Sequence, residues 1–331
     1  MLSLLSAIYG KAMDVRNDLY DKGFFETFDL GARAISVGNL TTGGTGKTPL
    51  VAYVAEILAE RGETVCVLSR GYGRENARQR VLVSDGWTIL SNSQKSGDEP
   101  FELAQKLLGK AIVIADADRV AAADWTRREF GVTVFILDDG FQHRRAGRDV
   151  DIVCIDATNP GGHSQARSLR SGVVLPAGRL REPLHNLKRT DVVVITRTDL
   201  VDDISNLRSE ISQLNPKATI FAATTKIVIS AEYGGKRVFA FCGLGNPQSF
   251  YEQLRRGGIE LAGSRTFADH HRYSQTDINA IELEARSVGA DVLVTTGKDN
   301  VKLSDLKIQM SCFVVGIDVC IDDPTAFAAL L

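Results

Sequence analysis

Short apolar runs recur along the first part of the chain, at residues 34–37, 64–69, 111–115, 132–137, 151–155 and 191–196. Most are continuous rather than alternating, the pattern of parallel strands buried on both faces. Helical spacing fills several of the gaps. Leu50, Val51, Val54, Ile57 and Leu58 share one helical face, and Gly62 follows as a natural stop. This rhythm predicts an α/β fold with a doubly wound, mostly parallel sheet. After about residue 215 the pattern restarts, with strands predicted at 219–222, 237–242, 291–295 and 312–317 and helices near 248–255 and 275–287. A second, smaller α/β domain is expected, with the division at 1–222 and 223–331.

Residues 157–190 break the rhythm. They carry Asn159-Pro160-Gly161-Gly162, Pro176-Ala177-Gly178 and Glu182-Pro183 and no long periodic segment. Irregular stretches of this length inside a domain are often functional loops. The N-terminus, from Met1-Leu2-Ser3-Leu4-Leu5 to about residue 20, is apolar but short. It lacks a basic leader and cleavage pattern, so a signal peptide is not expected. Pattern alone favours a buried first helix over one dipping into a membrane surface. No run reaches the ~18 to 20 apolar residues of a membrane span.

Composition narrows the classes. A chain of 331 residues with 44% hydrophobic and 24% charged residues builds an ordinary soluble core. A net charge of −2 gives no basic stripe, which argues against nucleic acid as a partner. The five cysteines are scattered through strand-like runs without a C-x-x-C pair, which suits reduced core thiols better than a disulfide frame or zinc site.

The chemistry concentrates at Thr41-Thr42-Gly43-Gly44-Thr45-Gly46-Lys47-Thr48-Pro49. A strand precedes this stretch and a helix follows. Backbone N–H groups at such a helix start face an anion, aided by the helix dipole. The glycines let the loop wrap, Lys47 reaches β- and γ-phosphates, and the Thr48 hydroxyl suits Mg²⁺. Thr41 stands where the general P-loop pattern has glycine. A P-loop enzyme also needs a carboxylate at the end of a neighbouring strand. Asp138-Asp139-Gly140 supplies two after the 132–137 run.

Other stretches are less specific. Asp98, in Ser96-Gly97-Asp98-Glu99-Pro100, suits a helix N-cap, a favoured place for Asp, and the sequence by itself does not separate capping from catalysis. Arg179, Arg181 and Glu182 form a charged loop suited to phosphate and Mg²⁺, or simply a solvated turn. Asp269-His270-His271 precedes a capping-box start at Ser274 and Asp277. Thr196-Arg197-Thr198-Asp199 only loosely matches a guanine-reading motif.

Taken together, the P-loop, Leu68-Ser69-Arg70-Gly71-Tyr72-Gly73, Gly97-Asp98-Glu99-Pro100, Asp138-Asp139-Gly140-Phe141-Gln142-His143, Leu175-Pro176-Ala177-Gly178, Leu180-Arg181-Glu182-Pro183 and Asp269-His270 closely resemble the tetraacyldisaccharide 4′-kinases of the lipid A pathway. The resemblance runs along almost the whole chain and is strongest before residue 200. It implies a P-loop NTPase-type fold and an ATP- and Mg²⁺-dependent kinase. The implied acceptor is the 4′-hydroxyl of a tetraacyldisaccharide 1-phosphate at the cytoplasmic face of a membrane. It also implies peripheral contact through the N-terminal helix, against the burial that pattern alone favours. By resemblance, Asp98 is the catalytic base and His270 its partner, Asp138 and Asp139 are the Walker-B pair, and Glu182 joins Thr48 and Asp139 at the metal. Thr41 is usual for the family. Arg179, Gly297 and the tract 163–171 depart from its pattern.

A P-loop GTPase or metal-insertion chaperone is the alternative, although Thr42 replaces the signature lysine of those families. A nucleotide-dependent membrane scaffold without transfer chemistry is a third reading.

Overall fold

The computed structural model describes residues 2–162, 168–269 and 271–331. His270, expected at the site by resemblance, and part of the tract 163–171 therefore lie outside the described residues. The chain divides into two compact units, Met1–Thr224 with Cys320–Leu331, and Thr225–Val319.

Unit 1 opens with helix α1 (Leu2–Asp21), then β1 (Arg33–Asn39), α2 (Lys47–Glu60), β2 (Val65–Ser69), β3 (Val81–Ser84), α3 (Ser93–Ser96) and α4 (Asp98–Lys106). It continues through β4 (Ala111–Ala115), α5 (Arg119–Phe130), β5 (Val134–Asp138), β6 (Val150–Asp156), β7 (Val192–Thr196), α6 (Ser205–Leu214) and β8 (Thr219–Val228). The strands lie in the order β8-β7-β6-β1-β5-β2-β4-β3. All neighbours are parallel except the edge strand β3, which is antiparallel to β4.

The continuous apolar runs explain this sheet. Ala34, Cys66, Leu68, Ile112, Ile114, Phe135 and Leu137 share a face with Ala122 and Ala123 of α5. The alternate residues Ile35, Val37, Val67, Val113 and Ile136 are buried too. A strand covered on both sides favours apolar residues on both of its faces. Strand β3 escaped the sequence reading because it is four residues long and only half apolar-buried, as edges are.

Unit 2 contains β9 (Val238–Cys242), α7 (Pro247–Arg256), β10 (Leu261–Thr266), α8 (Gln275–Ser287), β11 (Val292–Thr296), α9 (Gly297–Asn300) and β12 (Cys312–Ile321). Its strands run β10-β9-β11-β12, all parallel. Alternation sorts its core. Val238, Ala240 and Cys242 pack with Phe250, Tyr251 and Leu254 of α7. Phe239 and Phe241 pack with Ile278, Ile281 and Ala285 of α8. The helix start at Ser274 is a complete capping box with Asp277. Strand β10 was not predicted, since Leu-Ala-Gly-Ser-Arg-Thr has little β-propensity and forms an edge.

The last helix, α10 (Pro324–Ala329), belongs with unit 1, although the sequence suggested the smaller domain. Phe327 is fully buried and meets Phe221 edge-on at 5.2 Å and Tyr53 at 6.0 Å. The cysteines are all free, but Cys320 is exposed rather than a core thiol.

Helix α1 inverts the usual amphipathic pattern. Its buried residues are Ser6, Gly10 and Asn17, while Leu2, Leu4, Leu5, Ile8 and Val15 are exposed. Burial of the apolar side, favoured by pattern alone, is therefore wrong. Among the described residues, no helix is long and apolar enough to cross a membrane.

The turn after β5 is packed to its limit. A Cβ at Gly38 would lie 2.5 Å from the Phe141 Cβ and 2.7 Å from its backbone N. Two residues on, the His143 ring is half-buried and its Nε2 has no partner among the described residues. Burial, with Arg119 and Arg148 nearby, pushes its imidazole down to about 3.

Gly38→Ala is expected to lower the unfolding free energy by about 1–3 kcal/mol in denaturant titration, since neither backbone can yield. His143 gives a pH signature. The unfolded chain takes up the imidazole proton near the ordinary value, the folded chain only near 3. This contribution is complete above the ordinary histidine range and is lost as pH falls through that window, at roughly 1 kcal/mol per pH unit. Thermal midpoints of the native chain should therefore fall more steeply in acid than those of His143→Phe. Parallel profiles would remove His143 as the cause.

Candidate active site

The carboxyl ends of β1, β2 and β5 meet at one edge of the unit 1 sheet. Three loops emerge there, in the region where open α/β sheets bind ligands.

The first is the loop between β1 and α2. Gly43 has φ 116° and Gly46 φ 81°, conformations that a side chain would strain. Gly46 caps the 14-residue helix α2, so the N-terminal amides of α2 point out of the loop. Thr41 is buried, bridges Leu180 and does not have a positive φ, which is why glycine is not needed there. Gly44 is likewise unconstrained, and a Cβ on it would meet nothing within 4 Å. The loop is held from behind. Asn39 Nδ2 donates to Thr45 Oγ1 at 2.9 Å, and Thr196 Oγ1 donates to the Thr45 carbonyl at 2.8 Å. Thr196 thus secures the phosphate loop, and its neighbour Arg197 pairs with Asp156.

The second loop begins at the end of β5. Asp138 and Asp139 diverge there. Asp138 is buried and accepts from Ser69 Oγ at 2.8 Å, while Arg119 Nη2 donates to its backbone carbonyl at 3.1 Å. Burial, then the charges of Glu99 and Asp139, raise the Asp138 carboxyl to about 6. Asp139 has φ 54°, a left-handed conformation that Asp tolerates better than most residues. This turns its carboxylate toward Lys47 Nζ at 3.0 Å and Arg181 Nη1 at 2.6 and 2.7 Å. Burial acts to raise this carboxyl, but Lys47 and Arg181 outweigh it and hold it well below the usual range.

The third is the turn between α3 and α4. Asp98 is half-buried and is the first residue of α4. The cap position belongs to Gly97, so the N-cap reading of Asp98 does not hold. The loop after β2 grips this turn. A Cβ on Gly97 would lie 2.9 Å from the Tyr72 carbonyl, and one on Gly71 2.5 Å from the Ser96 carbonyl. Ser69, which bonds Asp138, leads directly into that loop. Asp98 and the Asp138–Asp139 pair are thereby carried on interlocked loops.

Residues 172–183 pack alongside. Thr42 N donates to the Arg179 carbonyl at 2.8 Å, and Arg181 N to the Leu40 carbonyl at 2.7 Å. This lays the Arg181 segment against the phosphate loop. Glu182 differs from its expected position at a metal. It is fully buried, and its oxygens accept from Asn17, Gln142 and both Arg189 terminal nitrogens, at 2.8 to 3.3 Å.

A divalent cation fits Thr48 with Asp138 and Asp139. Burial first, and then the charges of Glu99 and Asp139, disfavour an ionised Asp138, a cost that a nearby cation relieves, and Lys47 already joins Thr48's helix to Asp139. Glu182 does not fit that donor set. Among the described residues, no group of three or more His, Cys, Asp or Glu is gathered as a ligand set.

In unit 2, His271 is held within its own loop. It contacts Asp277 at 3.2 Å, stacks on Phe267 at 4.6 Å and meets Tyr273 edge-on. His270 is not among the described residues. Arg119 is the site residue the sequence reading missed. An arginine opening a helix after an Asp cap carries no signal until its partner is seen.

Comparison with known proteins follows the same lines. The family model described as "Tetraacyldisaccharide-1-P 4′-kinase" matches residues 1–331. A tetraacyldisaccharide 4′-kinase of Halothermothrix orenii is 37% identical, covering 100% of this chain and 91% of that protein. One from Geobacter metallireducens is 38% identical, covering 98% and 94%. The crystal structure of LpxK from Aquifex aeolicus in complex with ATP superposes with a TM-score of 0.77 at 29% identity, covering 98% of this chain and 96% of that one. With its phosphate loop, paired aspartates and whole-length match, the chain belongs to the tetraacyldisaccharide-1-P 4′-kinase family.

Proposed function

We propose that this protein transfers the γ-phosphate of ATP to the 4′-hydroxyl of a tetraacyldisaccharide 1-phosphate, working at a membrane face. The Lys47–Asp139–Arg181 ion group beside the α2 N-terminus carries this reading. It gathers the cationic donors that a polyphosphate needs around one carboxylate.

The loop amides and Lys47 hold the β- and γ-phosphates. Phosphate binding draws Lys47 and Arg181 from Asp139 toward the incoming oxygens, and the freed carboxylate would help hold Mg²⁺. Bound at Thr48, Asp138 and Asp139, Mg²⁺ would neutralise phosphate charge and fix its geometry. The sugar oxygen attacks the γ-phosphorus in line, and the bond to the ADP oxygen breaks. The hydroxyl proton leaves late and goes to Asp98, because a sugar hydroxyl is a poor acid. Most of the acceleration comes from positioning and charge. His270 is assigned as the partner of Asp98 by resemblance alone. Glu182 is not assigned to the metal, because its lone pairs are engaged.

The lipid acceptor supports a peripheral membrane position. Leu2, Leu4, Leu5 and Ile8 near the start of α1 are exposed, Leu4 at 66%, and so are Phe24 and Phe25 beyond its other end, Phe24 at 74%. Such a surface suits the headgroup boundary of a bilayer.

Incubation with γ-labelled ATP, Mg²⁺ and tetraacyldisaccharide 1-phosphate should put label on the lipid. Label released only as phosphate, with selective GTP binding, would favour the GTPase reading instead. Asp98→Asn should lower kcat by about 10²- to 10⁴-fold with ATP affinity unchanged, and His270→Ala should lower it in the same sense. Near-normal turnover of Asp98→Asn would exclude it as the base.

A further inference from the structure

The polar side of α1 is bonded to the segments that form the active site. Ser6 Oγ accepts from Ala177 N at 2.9 Å, and Tyr9 OH donates to the Arg181 carbonyl at 2.8 Å. Arg16 donates to the Gln142 carbonyl at 3.0 Å, and Asn17 Nδ2 to Glu182 Oε2 at 2.9 Å.

Glu182 is where these connections converge. One oxygen holds Asn17 of α1. The other accepts from Gln142 Nε2 at 2.8 Å, and the same nitrogen donates to the Asn39 carbonyl at 3.1 Å, the last residue of β1 before the phosphate loop. Arg189 neutralises the carboxylate and lies over the Phe141 ring at 4.3 Å. Arg181, the residue before Glu182, clamps Asp139. A buried charge with every lone pair engaged specifies one arrangement, because any shift strands it. Asn17 adds to this. It is buried, yet its Oδ1 has no partner among the described residues, a cost that favours placement over stability.

We infer that Glu182 is a positioning residue that couples α1 to the catalytic loops, so that the seating of the N-terminal helix sets the Lys47–Asp139–Arg181 group. The exposed apolar side of α1 faces away from this network. A surface that holds α1 therefore also holds Arg181 and the end of β1. What the ion group does in catalysis rests on the kinase reading above; the coupling itself does not.

Hydrogen exchange of the full-length protein tests it, with Glu182→Gln and Asn17→Ala. Both variants should exchange about tenfold faster within residues 2–21 and 139–142. Both should lower kcat several-fold with KM for ATP unchanged. The Mg²⁺ concentration needed for half-maximal ATP binding should stay that of the native chain. Asn17→Ala leaves the Glu182–Arg189 pair intact, so it remains informative if Glu182→Gln folds poorly. A Glu182→Gln variant with native exchange and an upward shift of the Mg²⁺ midpoint of about tenfold would instead make Glu182 a metal ligand. Native exchange in Asn17→Ala would overturn the coupling. If the native chain puts no label on lipid, the kinase reading fails while the exchange result still stands or falls alone.

Discussion

The Asp139 carboxylate between Lys47 and Arg181 is the interaction on which the rest of unit 1 depends. It forms only because the backbone at Asp139 takes a left-handed turn at the end of β5. An extended residue there would send the carboxylate elsewhere. The turn is enforced by close packing behind it, where Gly38 and Phe141 leave no room for a methyl group. Strain is stored where the surrounding structure fixes it, which is the usual condition at sites that bind charge.

The two adjacent aspartates show how one strand end makes two unlike groups. Asp138 faces Ser69 inside the protein, and burial raises it to about 6. Asp139 faces two cations and is held well below the ordinary range, against the effect of its own burial. The left-handed turn at Asp139 separates the side chains, and the environments do the rest. A carboxylate held by a buried hydroxyl stands beside one that organises two side-chain cations.

The site is assembled from loops, yet none of them is independent. The loop after β2 interlocks with the α3–α4 turn that starts with Asp98. The 172–183 segment is hydrogen-bonded to the phosphate loop, and α1 is fastened to that segment. Glycines at Gly71 and Gly97 permit the first contact by removing Cβ atoms from it. Loops tied in this way keep charged side chains in place without a surrounding core.

The sequence alone determined the alternating α/β order, most strands within a residue or two, and the residues of the phosphate loop. These follow from local causes: continuous apolar runs, glycine positions and strand-to-helix spacing. Through resemblance it also determined the family. Tertiary structure decided what local pattern cannot express. Helix α1 hides its small polar residues and exposes its leucines, because its partner is a hydrogen-bonding loop and not an apolar core. Asp98 is not a cap, because Gly97 takes that position. Glu182 shares its loop with Arg181 but points into the protein, where Asn17, more than 150 positions earlier, meets it. Edge strand β10 forms because a neighbour offers free backbone groups, not because its own residues favour extension. Side-chain roles at this site are set by partners distant in sequence, and distance in sequence leaves no periodicity to read.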